Sequence, residues 1–478
     1  MARKVVLEPG RTFQEFSLLP GFTRADCSIP NINLETRLAE NLVLRIPLLS
    51  SAMMSVTGYD MALALGKEGG LGVLPVKLQV AEQSDIVRRI KNYEMAFVEE
   101  PITVRENASI DEALRIVEQQ GHSKVPIVDR NNVFLGLFNY NEYLKMQVSR
   151  DELITKAMLN AEKVLHVQEP GLTVVAAREI LEEKQEHYLV VLDDLQRLVK
   201  LAFKKDEEKI KVGVAISTHE GWEERAEANL AEGADLIVID TSDAFNEFTG
   251  NAISRYKEME RSVPLCAGNV VNYEGAMYLM EKGADMIKVG MSSGSICITQ
   301  REKAVGRAPM TALMKCDRAR KEFMRKTSRY VPIIVDGGVA CPADMVIALS
   351  IADAVMMGGY FNRFFEAAGE KIDETGKTTS DEKSMREVAT WGEGSLRAMN
   401  IDRYNQTAKT FFAEGVEGTV PYRGRLKPNL KRDLMKVRAA LSNAGCYNLE
   451  QFRKESIIEL NSPTAAYIIG SAHDVKTK

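Results

Sequence analysis

The chain reads as an α/β protein built on a (β/α)8 TIM barrel, with a second module inserted into it. Three observations predict this. Eight short apolar, Val/Ile-rich runs recur along the chain, and amphipathic stretches such as Trp222–Glu232 and Tyr273–Lys282 separate the later ones. Strands alternating with helices imply a parallel sheet. Three runs open on the same kind of turn, Gly233-Ala-Asp, Gly283-Ala-Asp and Ile351-Ala-Asp. Between the second and third runs the rhythm breaks for about 110 residues (~96–206), a length close to an ordinary small domain.

The eight strands are expected at Ile46–Met53, Gly70–Pro75, Val212–Ser217, Asp235–Asp240, Pro264–Val270, Asp285–Gly290, Pro332–Gly338 and Asp353–Gly359. Barrels of this kind carry their functional groups at the C-terminal ends of the strands. Those ends hold Ser51, Met53, Asp240, Asn269, Gly290, Asp336 and Gly358. The barrel then occupies residues 1–95 and 207–478. The interruption, 96–206, contains a weak repeat. Glu106–Arg115, Lys124–Asp129 and Phe134–Phe138 form one copy; Glu169–Arg178, Tyr188–Asp193 and Leu198–Phe203 form the other. Each copy predicts helix, strand, turn, strand.

Composition narrows the class. The 478 residues carry a net charge of −5, which gives no reason to invoke nucleic acid. No apolar run is long enough to cross a membrane. Met1-Ala-Arg-Lys-Val-Val lacks the apolar core of a secretory signal. Six cysteines at 27, 266, 297, 316, 341 and 446, with no CxxC, suit reduced thiols in a cytoplasm. No His/Cys pair has zinc-like spacing.

The most informative stretch is Val289-Gly-Met-Ser-Ser-Gly-Ser-Ile-Cys297, followed by Thr299. Small residues let the backbone turn tightly at a strand end. A thiol there can act as a nucleophile; the alternative is a free cysteine packed as a small hydrophobe. Residues 361–440 are polar and loop-rich. The aromatic and glycine punctuation from Trp391 through Arg403-Tyr404 to Pro421-Tyr422 points to a mobile flap at about 391–440 rather than a linker.

The cysteine loop resembles the active-site loop of the inosine-5′-monophosphate dehydrogenase and guanosine-monophosphate reductase superfamily. Further motifs match in order: Ser50-Ser-Ala-Met-Met54, Gly268-Asn-Val270, Val335-Asp-Gly-Gly338, Val355-Met-Met-Gly-Gly359, Trp391-Gly-Glu-Gly-Ser395, Arg403-Tyr404 and Glu414-Gly415. The resemblance covers essentially the whole chain. The inserted repeat is similar to a tandem pair of CBS motifs, which often bind adenine or guanine nucleotides. Phe138-Asn-Tyr-Asn141 and Phe203-Lys-Lys-Asp206 depart from that family's nucleotide contacts, so a structural or assembly module stands as the alternative.

The resemblance implies oxidation of IMP to XMP with NAD⁺ in guanine nucleotide biosynthesis. Cys297 would add to C2 of the hypoxanthine and form a thioimidate; Arg403, helped by Tyr404 and Thr299, would activate the hydrolytic water. An exposed arginine in a surface ion pair is the other reading of Arg403. Asp336 would hold the ribose hydroxyls, although an Asp before two glycines also suits a plain turn. Ser51, Met53, Ser295, Gly338, Gly358 and Gly359 would complete the nucleotide site, with the phosphate on the last four; the glycines alone suit tight packing equally. Glu393, Gly394 and Glu414 would line the hypoxanthine edge. Asp240, Thr241, Ser242, Asn269 and Gly290 would meet the nicotinamide riboside. The resemblance further implies a homotetramer and a potassium ion on the carbonyls of Ser292, Gly294 and Cys297, with more from a neighbouring subunit's C-terminal turn. The chain departs from the family pattern at Ser292, where glycine is usual, at Ile469-Gly-Ser471, and at Thr390, where a tyrosine often meets the phosphate. Two rivals remain at this level. One is a GMP reductase, running the same thioimidate backwards with NADPH. The other is a catalytically silent barrel serving as a nucleotide sensor.

Overall fold

A computed structural model describes residues 5–93, 95–98, 101–120, 123–204, 210–259, 261–398, 413–462 and 465. The chain divides into two compact units, residues 1–90 with 210–478, and 91–209.

The first unit is a closed eight-stranded parallel barrel. Its strands are β1 (Leu48–Ser50), β2 (Leu71–Leu74), β3 (Val212–Ile216), β4 (Leu236–Asp240), β5 (Leu265–Val270), β6 (Met286–Val289), β7 (Ile333–Asp336) and β8 (Ala354–Met357). All eight fall inside the runs expected from sequence. Each pairs in parallel with its neighbour, and β8 closes onto β1. The main helices are α1 (Tyr59–Lys67), α2 (Val80–Asn92), α3 (Trp222–Ala231), α4 (Glu247–Glu258), α5 (Tyr273–Lys282), α6 (Pro309–Thr327), α7 (Pro342–Leu349) and α8 (Leu426–Asn443).

The repeated Ala-Asp opening has a physical explanation. Asp235, Asp285 and Asp353 each donate a backbone N–H to the first residue of the preceding strand, at 2.9 Å to Val212, Leu265 and Ile333. Each carboxylate then accepts that residue's own N–H, at 2.9, 2.7 and 2.8 Å. The aspartate satisfies a strand-starting amide that would otherwise be buried without a partner. Gly233 and Gly283 end the helices before two of these turns in the left-handed region, φ +91° and +106°, the usual role of glycine there.

Side chains alternate across a strand, so the inward set follows from one member. Leu236, Val238, Cys266, Met286, Ile334, Ala354 and Met356 fill the barrel. Leu38, Leu42 and Leu44, from a two-stranded hairpin (Thr36–Ala39 with Leu42–Leu44), belong to the same core. Two residues further along β4 to β7, the same inward face carries Asp240, Gly268, Lys288 and Asp336. The interior turns from apolar to charged at one layer.

The stretch expected to be loop-rich is more ordered than its polarity suggests. Lys371–Asp373, Met385–Trp391 and Glu417–Pro421 form a three-stranded antiparallel sheet. α8 is an 18-residue helix. Its buried Leu426, Leu430, Leu434, Val437 and Leu441 recur every three or four residues. That is one helical face, diluted in the sequence by lysines and arginines on the other side. Residues 399–412 of the expected flap lie outside the described residues.

In the second unit each repeat has a helix, then a hairpin. They are Ile110–Gln120 with Lys124–Val128 and Phe134–Asn139, and Val174–Glu183 with Tyr188–Leu192 and Leu198–Lys204. The two turns are alike. Asp129 and Asp193 each cap two downstream amides with one carboxylate oxygen, and Asn132 and Gln196 take φ +66° and +62°. The hairpin tips also pair: Phe134 N–H donates to the Gln196 carbonyl at 2.9 Å and Leu198 N–H to the Asn132 carbonyl at 3.0 Å. Because the chain leaves and re-enters the barrel unit at 90 and 210, replacing 96–206 by a short flexible linker is expected to leave the barrel folded. A single cooperative thermal transition with retained near-UV circular dichroism is the expected result; loss of that transition would show that the barrel needs the insert.

Candidate active site

The loop after β6 shapes the C-terminal mouth of the barrel. Gly290 takes φ +148°, and a Cβ there would fall 1.9 Å from the Asp336 carbonyl oxygen. Only glycine permits that approach. Ser292 follows at φ +61°, a left-handed conformation that explains why glycine suits this position; its hydroxyl donates to the Val305 carbonyl at 2.9 Å. Ser293 Oγ donates to the Asp336 carbonyl at 3.2 Å. The chain then turns on a Cys297 N–H to Gly294 carbonyl bond and enters a short helix, Thr299–Lys303.

Cys297 is half-buried. Its Sγ lies 3.2 Å from Thr299 Oγ1, which donates to Glu414 Oε2 at 3.2 Å. Lys303 Nζ meets the other Glu414 oxygen at 2.5 Å. Glu414 is brought here by backbone pairing: Ile298 N–H donates to its carbonyl and Val416 N–H to that of Ile296, at 2.9 and 3.1 Å. The thiol therefore ends a chain of polar groups running thiol, hydroxyl, carboxylate, ammonium. Cys266 makes the contrast. It is fully buried in the barrel, and burial pushes its thiol up to about 12, which suppresses the nucleophilic thiolate.

Two cavities share the mouth, of about 750 and 430 Å³. Both are bounded by Met53, Ser292, Ser293, Gly294, Ile296, Asp336 and Gly337. The larger adds Ser51, Ser295, Gly338, Gly358 and Gly359. The smaller adds Ser242, Asn269, Gly290, Cys297, Thr299, Glu393, Gly394 and Glu414. Glu393 is held by Met54 N–H, which donates to Oε1 at 2.7 Å, and by Lys77, whose Nζ donates to its carbonyl at 2.6 Å. Asp240 and Thr241 line neither cavity. Thr241 is turned onto the Gly268 carbonyl, at 3.2 Å from Oγ1, and Asp240 is held by Lys288. Thr390 is buried between Ser55 and Asn362 and faces neither cavity. Arg403 and Tyr404 lie outside the described residues, as does 469–471.

Lys288 is the main site residue that the sequence reading missed. Its side chain is 2% exposed, and Nζ donates at 2.6 Å to Asp240 and at 2.6 Å to Asp336. A Cβ on Gly268 would stand 2.5 Å from that of Lys288, so the bare glycine makes room for the lysine stem. Burial by itself lowers an ammonium's pKa, but the two carboxylates more than reverse this and hold Lys288 above its ordinary value. Asn269 Nδ2 also donates to Asp336, at 3.1 Å. One signal was available: a lysine inside an otherwise apolar strand, two residues before the loop. Other missed wall residues come from the N-terminal segment, Glu8, Gly10, Thr12 and Gln14, whose polar, unpatterned sequence gives no hint of a site. Lys288→Met keeps the volume and removes the charge, leaving two carboxylates facing each other. Breaking a buried ion pair this way costs on the order of 3 kcal/mol. Urea unfolding should show that loss; an unchanged midpoint would mean the pair is not a stabilising contact.

Comparison with known proteins places these features. The family described as "IMP dehydrogenase / GMP reductase domain" matches residues 10–473. The inosine-5′-monophosphate dehydrogenase of Tritrichomonas foetus is 34% identical over 499 residues, covering 98% of this chain and 97% of its own length. That of Aquifex aeolicus is 29% identical and covers 98% and 96%. Among solved structures, a Trypanosoma brucei GMP reductase variant in complex with guanosine 5′-monophosphate superposes with a TM-score of 0.72 at 22% identity, over 100% of both chains. That likeness concerns the fold.

Proposed function

Because the chain belongs to the IMP dehydrogenase / GMP reductase family, we propose that it oxidises IMP to XMP with NAD⁺ through a covalent intermediate on Cys297. The observation that carries this reading is the thiol at the mouth of the barrel. It is half-buried, hydrogen-bonded through Thr299 to Glu414, and set beside a cavity rich in backbone amides and hydroxyls.

In this reading the larger cavity takes the ribose phosphate. Ser295 and the amides of Gly338, Gly358 and Gly359 meet the phosphate, and Asp336 accepts from the ribose hydroxyls. Lys288 and Asn269 fix that carboxylate's direction. The base extends toward Cys297, with Met53, Glu393, Gly394 and Glu414 around it. The thiolate adds to C2, and the C2 hydrogen departs as hydride, leaving a thioimidate on Sγ. NAD⁺, when bound, supplies the acceptor for that hydride. Ser242, Asn269 and Gly290 face the space it needs. Asn269 lines that space, and its buried Oδ1 has no hydrogen-bond partner among the described residues. Water then attacks C2, Arg403 takes its proton with Tyr404 and Thr299 assisting, and the C–S bond breaks to return the thiolate. The balance is IMP, NAD⁺ and water to XMP, NADH and a proton. Dividing one hard displacement into two easier steps is the gain from the cysteine.

A potassium ion under the loop would take the carbonyls of Ser292, Gly294 and Cys297. The fit is partial: the Gly294 carbonyl already accepts the Cys297 N–H at 3.2 Å. No step above depends on the ion. The second unit, with its paired repeats, is proposed as a tandem CBS-motif insert that takes an adenine or guanine nucleotide, and the active form as a cytoplasmic homotetramer.

One assay separates this reading from its rival. Enzyme with IMP and NAD⁺ should raise absorbance in the NADH band. With GMP and NADPH the absorbance should stay constant. A fall in the second mixture, with none of the rise in the first, would make the chain a reductase.

A further inference from the structure

We infer that Arg363 is a phosphate-binding residue of the nucleotide pocket, reading the charge of the 5′-phosphate that the glycine amides cradle. The inference rests on the nucleotide-site reading above and extends it to a residue outside the motifs that suggested that site.

The placement comes from the turn after β8. Gly358 and Gly359 lead into a single helical turn, Phe361–Arg363, tied back to the glycines by Asn362 N–H donating to the Gly358 carbonyl at 2.9 Å. Arg363 ends this turn and lines the same cavity as Gly358 and Gly359. A Cβ on Gly359 would lie 3.2 Å from Ser295 Oγ. Ser295, Gly359 and Arg363 thus belong to one end of the larger cavity, and all three line it.

Among the described residues, Arg363 lacks the partners a half-buried guanidinium normally has, and its Nε is buried with no hydrogen-bond partner. No carboxylate among the described residues pairs with it. Another cation, Arg423, is close in the fold: its backbone N–H donates to the Arg363 carbonyl at 2.9 Å. Burial, and then Arg423, pull the Arg363 pKa below the ordinary arginine value. Glu8, an acid on the same cavity, is mostly exposed and pairs with Lys315 at 3.7 Å. Leaving a buried donor unmade is costly, and the charged fork to which it belongs borders the cavity. A phosphate dianion suits a planar, permanently charged fork better than any neutral group does.

The turn is held in place beside Arg363: Asn362 Nδ2 donates to the buried Thr390 Oγ1 at 2.9 Å.

Calorimetric binding in the absence of NAD⁺ tests this without turnover. Arg363→Gln should weaken IMP by on the order of 10- to 100-fold, the range of hydrogen bonds to charged groups. Inosine, which lacks the phosphate, should bind wild type and variant equally. Inorganic phosphate should compete with IMP on the wild type and lose that competition in the variant. Arg363→Lys, which keeps the charge, should recover part of the affinity. Equal weakening of IMP and inosine would make Arg363 a structural residue and overturn the inference, as would unchanged IMP binding in a folded Arg363→Gln protein. The dehydrogenase reading fails separately, by absent turnover of the wild type.

Discussion

Cys297→Ser is expected to bind IMP and produce no NADH. The substitution changes one atom, so the loop turn, the Cys297 N–H to Gly294 carbonyl bond and the contact to Thr299 can all persist. The chemistry cannot. A serine hydroxyl gives up its proton far less readily than a thiol, and it is the anion that attacks. Loss of at least three orders of magnitude in kcat, with IMP affinity within about threefold of wild type, fits removal of a group acting only in the chemical steps. More than a few per cent of residual activity would remove Cys297 from the role.

Arg403→Ala is expected to behave quite differently. Hydride departure needs the thiol, IMP and NAD⁺; only the following hydrolysis needs a base for water. Rapid mixing should give a burst of about one NADH per active site, then a slow steady rate as the thioimidate accumulates, the kinetic mark of a covalent intermediate. The steady rate should fall by on the order of 100-fold or more, the usual worth of a general base. Loss of the burst itself would place Arg403 in binding or hydride transfer. A burst and steady rate equal to wild type would make it a surface residue.

What the sequence disclosed, and what it hid, divides along physical lines. The eight strands were legible because each is buried on both faces and reads as an unbroken apolar run such as Leu236–Asp240. The Ala-Asp openings were legible as a repeat, although their purpose, capping the neighbouring strand's first amide, shows only in three dimensions. The cysteine loop announced itself through small residues; Gly290 takes a backbone angle open to glycine, and Ser292 holds a left-handed one that glycine would adopt more readily. Lys288 stayed hidden. Its meaning depends on two carboxylates 48 residues away on either side, and no local pattern carries a contact of that range. Arg363 stayed hidden because a single arginine among the aromatics Tyr360, Phe361, Phe364 and Phe365 forms no motif that names a ligand. Helix α8 was masked by its own charged outer face. For Asp240 and Thr241 the strand end was legible but their engagement was not: Asp240 accepts from Lys288 and Thr241 donates to the Gly268 carbonyl, contacts that no local pattern carries.

The covalent link between Cys297 and the purine is the claim on which the rest depends, and mass spectrometry reads it directly. Arg403→Ala protein mixed with IMP and NAD⁺, quenched in acid during the slow phase and digested, should yield the Cys297 peptide carrying the added nucleotide. The fraction modified should equal the NADH burst. Cys297→Ser treated the same way should yield none. Full NADH production with the Cys297 peptide unmodified at every quench time, or the nucleotide found on another cysteine, would contradict the account.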